Sequence, residues 1–529
     1  MPLHPILIDG RWRSAQATAT FRAENPATGE TLPDEFPTSN WADCDAALNA
    51  ALGAAAALRA TPPIHLAQFL SRYAGRLEAR AGEIVACAHL ETALPKSPRL
   101  ADVELPRTTG QLRQAAAAVL EGSWALPTID VKNNLRSCLG SIGPVVIFGP
   151  NNFPFAYNGV AGGDFASAIA AGNPVIAKAH PSHPGTTRLL AQEALAALEE
   201  SGLPPGAVQM IYNLAPEDGL RLVADPRLGA VGFTGSRAAG LKLKAAADAA
   251  GKPIYLEMSS LNPVVILPGA LAERASKIVD EFAASCLMAS GQFCTNPGLV
   301  IVLAGDATEQ FIAAIKTKFE SAKPTSLLSS GVARSLLASV RTLQAAGAQI
   351  VTGGAAEPGP GYRFANTLLR VSGGTFLNES EKLQTEAFGN ASLLVIAKDA
   401  TQLPDLLNRL EGNLTGSVYS DTGGSDDALY DAVAPLLRRR AGRLLNDKMP
   451  TGVAVSAAMN HGGPFPSTGH PGFTAVGIPA SLRRFATLQC YDHVRPGRLP
   501  ELLRDKNPTG HTWRLIDGTW TQGDVTPKA

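Results

Sequence analysis

Cysteine is scarce in this chain: six among 529 residues, at positions 44, 87, 138, 286, 294 and 490, with no CxxC pair and no dense cluster. That spacing excludes a disulfide framework and gives zinc no evident home, so no metal is expected; it suits a reducing compartment such as the cytoplasm. Net charge is missing too. The 46 basic and 46 acidic side chains cancel, and without a global field neither nucleic acid nor an anionic membrane surface is an expected partner. The first residues, MPLHPILIDGRWRS, lack the charged segment, apolar stretch and small-residue cleavage site of a secretory leader. No apolar run reaches the ~18 residues of a membrane span, and the Ala/Gly-rich stretch at 47–60 is broken by polar and proline residues. Also absent are a GxGxxG string and an internal repeat of fixed period.

What is present is a large apolar supply, 45% hydrophobic against 17% charged residues, in a chain long enough for two large domains. The middle third alternates short β-like runs with helix-like stretches. Strands are expected at 143–148, 174–179, 208–212 and 230–233, with crossover helices at 157–171, 186–201 and 238–250, the pattern of a doubly wound α/β sheet. A second βα series follows, with strands near 253–257, 264–267, 299–303, 349–352, 393–396 and 416–419 and helices near 270–290, 307–321, 331–346 and 402–411. The domain boundary falls close to Glu257. Segments 122–141 and 482–491 have extended-strand composition outside this alternation and fit an arm that pairs with another subunit. The Pro-rich, polar tail from about Arg495 is expected to pack loosely.

Three side chains carry candidate chemistry. Cys294 lies in Gly291-Gln-Phe-Cys-Thr-Asn-Pro-Gly298, a loop between a helix and an apolar strand, where the backbone curves around the thiol. Alone, it reads as readily as a buried, inert cysteine. Glu257 ends the run Pro253-Ile-Tyr-Leu-Glu257 and either faces a cleft or lies on the surface. Asn152, in Gly149-Pro-Asn-Asn-Phe-Pro154, sits where a strand hands over to a helix, and serves as a helix cap or as an amide donor to an oxyanion.

Taken together, Pro150-Asn-Asn-Phe-Pro154, Lys178 after a strand, Phe233-Thr-Gly-Ser236, Leu256-Glu257, Gly291-Gln-x-Cys294 and Glu386-Ala-Phe-Gly389 resemble the aldehyde dehydrogenase superfamily, in the right order over nearly the whole chain. Cys294-Thr-Asn-Pro-Gly298, Asn262-Pro-Val-Val and His461-Gly-Gly-Pro-Phe-Pro466 look like its branch that oxidises α-ketoglutarate semialdehyde (2,5-dioxopentanoate). The resemblance implies a Rossmann-like cofactor domain (1–121 and 142–256), a second α/β catalytic domain (257–455), a small β oligomerisation arm (122–141 and 456–500) and a carboxy-terminal tail (501–529). It implies Cys294 as nucleophile, Glu257 as general base, and Asn152 with the Cys294 backbone N–H as oxyanion hole. For NAD(P) it implies Ser236, and the strand-to-helix turn from Gly232, at a phosphate. Lys178 would meet the adenosine ribose, Glu386 the nicotinamide ribose, and Phe388 would lie near that ring. A homodimer or homotetramer is the expected assembly.

Three departures matter. Glu257-Met-Ser-Ser-Leu261 replaces the usual Glu-Leu-Gly-Gly-Lys, and Asn151 replaces the aromatic that commonly precedes the oxyanion Asn, which should make the substrate tunnel more polar. Lys178-Ala-His-Pro181 puts proline where many NAD-linked members carry a glutamate that repels a 2′-phosphate. With that repulsion gone, Lys178 and His180 favour NADP, NAD remaining usable. A fatty or aromatic aldehyde dehydrogenase uses the same motifs, and a silent member of the fold is a third reading, disfavoured because Cys294, Glu257 and Asn152 are all present.

Overall fold

Two seven-stranded sheets and one five-stranded sheet organise the computed structural model, which describes residues 3–17 and 19–526; residues 1, 2 and 527–529 of the amino-terminal and tail expectations lie outside the described residues. The first sheet runs Ile254–Glu257, Ala230–Thr234, Val145–Phe148, Val175–Lys178, Val208–Ile211, Ile6–Ile8, Arg11–Arg13. Its first five strands are parallel, as apolar runs buried on both faces require, and helices Pro184–Glu200 and Arg237–Ala249 are among their crossovers. The chain builds from Val145–Phe148 toward one edge, then returns to the other side of that strand with Ala230–Thr234. This reversal is a topological switch point, where the carboxyl ends of neighbouring strands diverge and open a crevice.

The second sheet runs Gln349–Thr352, Thr367–Ser372, Ala391–Ala397, Leu299–Leu303, Val264–Ile266, Asn413–Tyr419, Ala441–Asn446, and is parallel except at its first pair. Strand alternation splits its side chains between two cores. Val265, Leu299 and Ile301 pack on one face; Val264, Ile266, Val300 and Val302 pack on the other against helices Pro268–Leu287 and Asp306–Ser321.

Three expectations need correction. Ile254–Glu257 belongs to the first sheet, parallel to Ala230–Thr234, because the preceding crossover returns it to that edge. The helix expected over 157–171 is confined to Gly163–Ala170, since Asn158 folds the preceding residues into turns through bonds to Pro154 O and Val160 N. A Cβ on Gly162 would lie 2.6 Å from Tyr157 Cα, so that turn is held by glycine. The extended segments form one ladder, Leu135–Ser141 antiparallel to Ala486–Asp492, with the latter at the edge of its sheet, the position that the expected pairing with another subunit requires. The tail is not loose either: Arg514–Ile516 joins Thr128–Asp130, Thr519–Thr521 follows it, and Leu503 and Arg514 are fully buried. Arg514 is retained there by the carbonyls of Arg504, Asp505 and Gly523. Among the described residues no helix is long and apolar enough to cross a membrane.

Candidate active site

The carboxyl ends of the first sheet's parallel strands supply Gly149 to Asn152, Lys178, Thr234 to Ser236 and Glu257, and these line a cavity of about 550 Å³ closed from the second domain by Cys294, Glu386 and Phe388. Ser236 caps helix Arg237–Ala249 by accepting from Ala239 N at 3.4 Å while also facing the cavity. The helix therefore turns its amino terminus, with its partial positive charge, toward the space. Burial pushes the Lys178 ammonium down to about 8. Burial and the neighbouring Lys178 and His183 hold His180 well below the usual histidine range, so it is neutral. His180 Nδ1 accepts from Ser182 N at 3.1 Å, which leaves the proton on Nε2. Burial raises the Glu386 carboxyl to about 7, against hydrogen bonds from Ser259 and Ser260 that favour its charged form.

Not every expected residue arrives. Gly232 does not line the cavity: a Cβ there would lie 2.8 Å from Asp164 Oδ2 and 3.4 Å from Phe485, so this glycine serves close packing. Thr234 and Gly235 take the wall position instead. Asn151 lines the same cavity as Lys178 and Ser236 and adds to its polarity.

Cys294 sits on a tightly wound turn. Ala289, Ser290 and Gly291 are all left-handed, at φ of 47°, 53° and 67°, and the first two pay a conformational cost that only the surrounding packing offsets. Gly291 is irreplaceable on geometry, because a Cβ there would stand 2.1 Å from Gly389 O. Asn262, itself left-handed, donates through Nδ2 to Cys294 O and Asn296 O, both at 2.9 Å, and so pins the turn from below. Asn152 Nδ2 donates to Gln292 O at 3.0 Å, which commits one amide hydrogen and leaves the other.

The half-buried thiol of Cys294 faces two buried partners. Cys294 Sγ lies 3.4 Å from His461 Nε2, which lies 3.0 Å from Glu257 Oε1. Glu257 and His461 are each 1% exposed. Glu257 Oε2 has no hydrogen-bond partner among the described residues. Burial and the Glu257 charge push the Cys294 thiol well above its usual range, opposed by the positive charge of Arg107. The resting group is therefore a thiol, with a proton acceptor in contact.

His461 was visible in the sequence only as part of the His461-Gly-Gly-Pro-Phe-Pro466 string, with no role attached; it reaches Glu257 across 204 residues of chain. Three arginines were not singled out at all. Arg99 pairs with Glu104 and donates to Asn152 O at 2.9 Å. Arg107 stands over the Phe153 and Tyr157 rings, and Arg443 is tied to the loop after strand Ala441–Asn446.

The family model described as "Aldehyde dehydrogenase family" matches residues 12–458. The chain is 38% identical to α-ketoglutaric semialdehyde dehydrogenase 2 of Azospirillum brasilense, over 98% of its own length and 99% of that protein. It is 36% identical to α-ketoglutaric semialdehyde dehydrogenase of Acinetobacter baylyi, over 97% and 98%. Among solved structures it is similar in fold to lactaldehyde dehydrogenase from Escherichia coli, with a TM-score of 0.79 at 22% identity, covering 93% of this chain and 99% of that one. An indole-3-acetaldehyde dehydrogenase in complex with NAD+ gives 0.79 at 20% identity, covering 92% and 96%.

Proposed function

The chain belongs to the aldehyde dehydrogenase family, and on that premise we propose that it oxidises 2,5-dioxopentanoate to 2-oxoglutarate with NADP preferred over NAD. The reading rests above all on the thiol of Cys294 in contact with His461 and Glu257 at one end of a cavity fit for a dinucleotide. Cys294 sulfur attacks the aldehyde carbon, because an aldehyde releases hydride only once it is tetrahedral. The thiol proton passes to Glu257 and leaves to solvent before the thioester is hydrolysed, so the carboxylate is free again for the water step. Asn152, with its remaining amide hydrogen, and the Cys294 backbone N–H receive the oxyanion; one such donor is typically worth about 2.7–4 kcal/mol of barrier. The dinucleotide supplies the hydride acceptor. Glu257, through Oε2, then takes a proton from the water that opens the Cys294 thioester. Ser236 and the helix it caps hold the pyrophosphate, Lys178 the adenosine ribose and Glu386 the second ribose, with Phe388 beside them.

The substrate reading follows the two semialdehyde dehydrogenases of 36% and 38% identity. A panel of 2,5-dioxopentanoate, succinic semialdehyde, hexanal and benzaldehyde tests it. The first is expected to show the highest kcat/KM; a higher value for hexanal would move the protein to a fatty-aldehyde role. Leu488, 68% exposed on an edge strand of the five-stranded sheet, fits pairing with a second copy in a homodimer or homotetramer.

For the dinucleotide, among the described residues the only carboxylates lining the cavity are Glu257 and Glu386, and Lys178 and His180 line it as well. A 2′-phosphate there meets Lys178 and the His180 Nε2–H. The expected kcat/KM ratio of NADP to NAD exceeds one, and Pro181→Glu lowers it by roughly tenfold or more. The sign of the pH effect follows from Lys178. Below about 8 the ammonium is charged and pairs with phosphate; above it, binding must first take up a proton. The KM for NADP should therefore climb from about pH 8 upward more steeply than that for NAD, and parallel profiles would remove Lys178 from this role.

A further inference from the structure

Two guanidinium groups stand near the thiol with only neutral partners. Arg107 donates to Val453 O at 3.3 Å and Tyr157 Oη at 3.1 Å. Arg443 donates to Pro450 O at 3.1 Å and Gly452 O at 3.4 Å, with Met459 Sδ at 3.8 Å. In both, Nε is buried with no hydrogen-bond partner among the described residues. Arg99, by contrast, is neutralised by Glu104. A half-buried cation satisfied by neutral groups alone has lost water without gaining a counter-charge. The arrangement is costly unless an anion visits it.

The same loop, 450–453, holds both groups and lies against the nucleophile. Thr451 Oγ1 donates to Thr295 O at 3.4 Å, one residue after Cys294. On the other side, the Tyr157 ring is 6.1 Å from that of His461, the residue in contact with the Cys294 sulfur. Cys294 feels the positive charge of Arg107, and Arg443 feels the charge on Cys294, so both lie within electrostatic reach of the sulfur. Neither arginine lines the dinucleotide cavity. They flank Cys294 from another direction, with the faces of Phe153 and Tyr157 beside Arg107.

We propose that Arg107 and Arg443 anchor the substrate's carboxylate, so that this wall, and not the Cys294–His461–Glu257 trio, selects ω-oxo carboxylates over neutral aldehydes. A carboxylate offers two oxygens to two forks of donors, with Tyr157 Oη bridging from Arg107 toward the sulfur side. The inference rests on the semialdehyde reading above and adds to it the residues that enforce it.

The test compares kcat and KM for 2,5-dioxopentanoate and for pentanal, a neutral aldehyde of equal carbon count, in the wild type and in Arg107→Gln, Arg443→Gln, Arg107→Lys and Arg443→Lys. Each Gln variant is expected to lower the ratio of kcat/KM for the two aldehydes by about 30-fold, chiefly through KM, with the Lys variants recovering part of the loss. Equal losses on both aldehydes, or an unchanged ratio, would overturn the anchor and leave the arginines as supports of loop 450–453. Melting temperatures identify a Gln variant that fails to fold, and the Lys variants then decide. A wild type that prefers pentanal defeats the substrate reading and the anchor with it; a wild type that prefers 2,5-dioxopentanoate, with variants that keep the preference, defeats the anchor alone.

Discussion

Replacing Cys294 by serine is expected to reduce aldehyde oxidation by roughly a thousandfold or more while dinucleotide binding stays close to wild type. A hydroxyl is far less acidic than a thiol, and the acceptor in contact with Cys294, the His461–Glu257 pair, is placed for a larger and more polarisable sulfur. The cavity wall otherwise keeps its shape, so titration of NADP by quenching of intrinsic fluorescence should be unaffected. Cys286→Ala provides the contrast. That thiol is wholly buried on helix Pro268–Leu287 in the second domain's core, and burial pushes it up to about 12. Its removal should cost about 1 kcal/mol of stability through lost packing and leave turnover within a factor of two or so. Retention of more than about a tenth of the turnover by the serine variant would remove Cys294 from the nucleophile's place.

The second large effect is expected from Glu257→Gln, and it falls on one half of the reaction. Steady-state turnover should drop by about a hundredfold or more, the usual worth of a placed general base, while a pre-steady-state burst of reduced dinucleotide survives. The reason lies in two opposed consequences of losing the carboxylate. Glu257 raises the Cys294 thiol's pKa by its charge, so its neutralisation eases thiolate formation, and His461 Nε2 remains 3.4 Å from the sulfur. Nothing replaces Oε2 for the water step. Alkylation of Cys294 by iodoacetamide at neutral pH should accordingly be no slower in the variant. Loss of the burst together with turnover would assign Glu257 to the thiol; survival of both would release it from catalysis.

How far the sequence reaches can be judged residue by residue. The strands Leu299–Leu303 and Gln349–Thr352 occupy the expected positions, because β-branched runs between turn residues need no tertiary information. Ile254–Glu257 was legible as a strand but not as to its sheet, since pairing is decided by which edge the preceding helix returns to. The tail misled for the opposite reason: a three-residue strand such as Arg514–Ile516 is too short to have a pattern of its own and is defined by the neighbour it completes. Within the site, Glu257 ends a strand, Asn152 follows one and Cys294 precedes one, and local strings betray all three. His461 lies 167 residues from Cys294, and Arg107 meets loop 450–453 across 346 residues. An arginine after a proline on a helix looks like any solvated cation until the fold withholds its counter-ion. Asn262 was legible only as a marker string; its work on the Cys294 turn depends on a left-handed backbone that no composition reveals.

The contact between Gly291 and Gly389 joins the loop that carries the sulfur to the loop that carries Glu386 and Phe388. Gly389 O occupies the space a side chain at 291 would need, and it also accepts from Asn296 Nδ2 at 3.3 Å. The spacing between the Cys294 sulfur and the residues Glu386 and Phe388 is thus set in large part by a main-chain contact. The arginine wall and the Lys178–His180 turn are side-chain features set outside that joint. On the roles proposed above, substrate choice and dinucleotide choice can each diverge by a few substitutions without disturbing that joint.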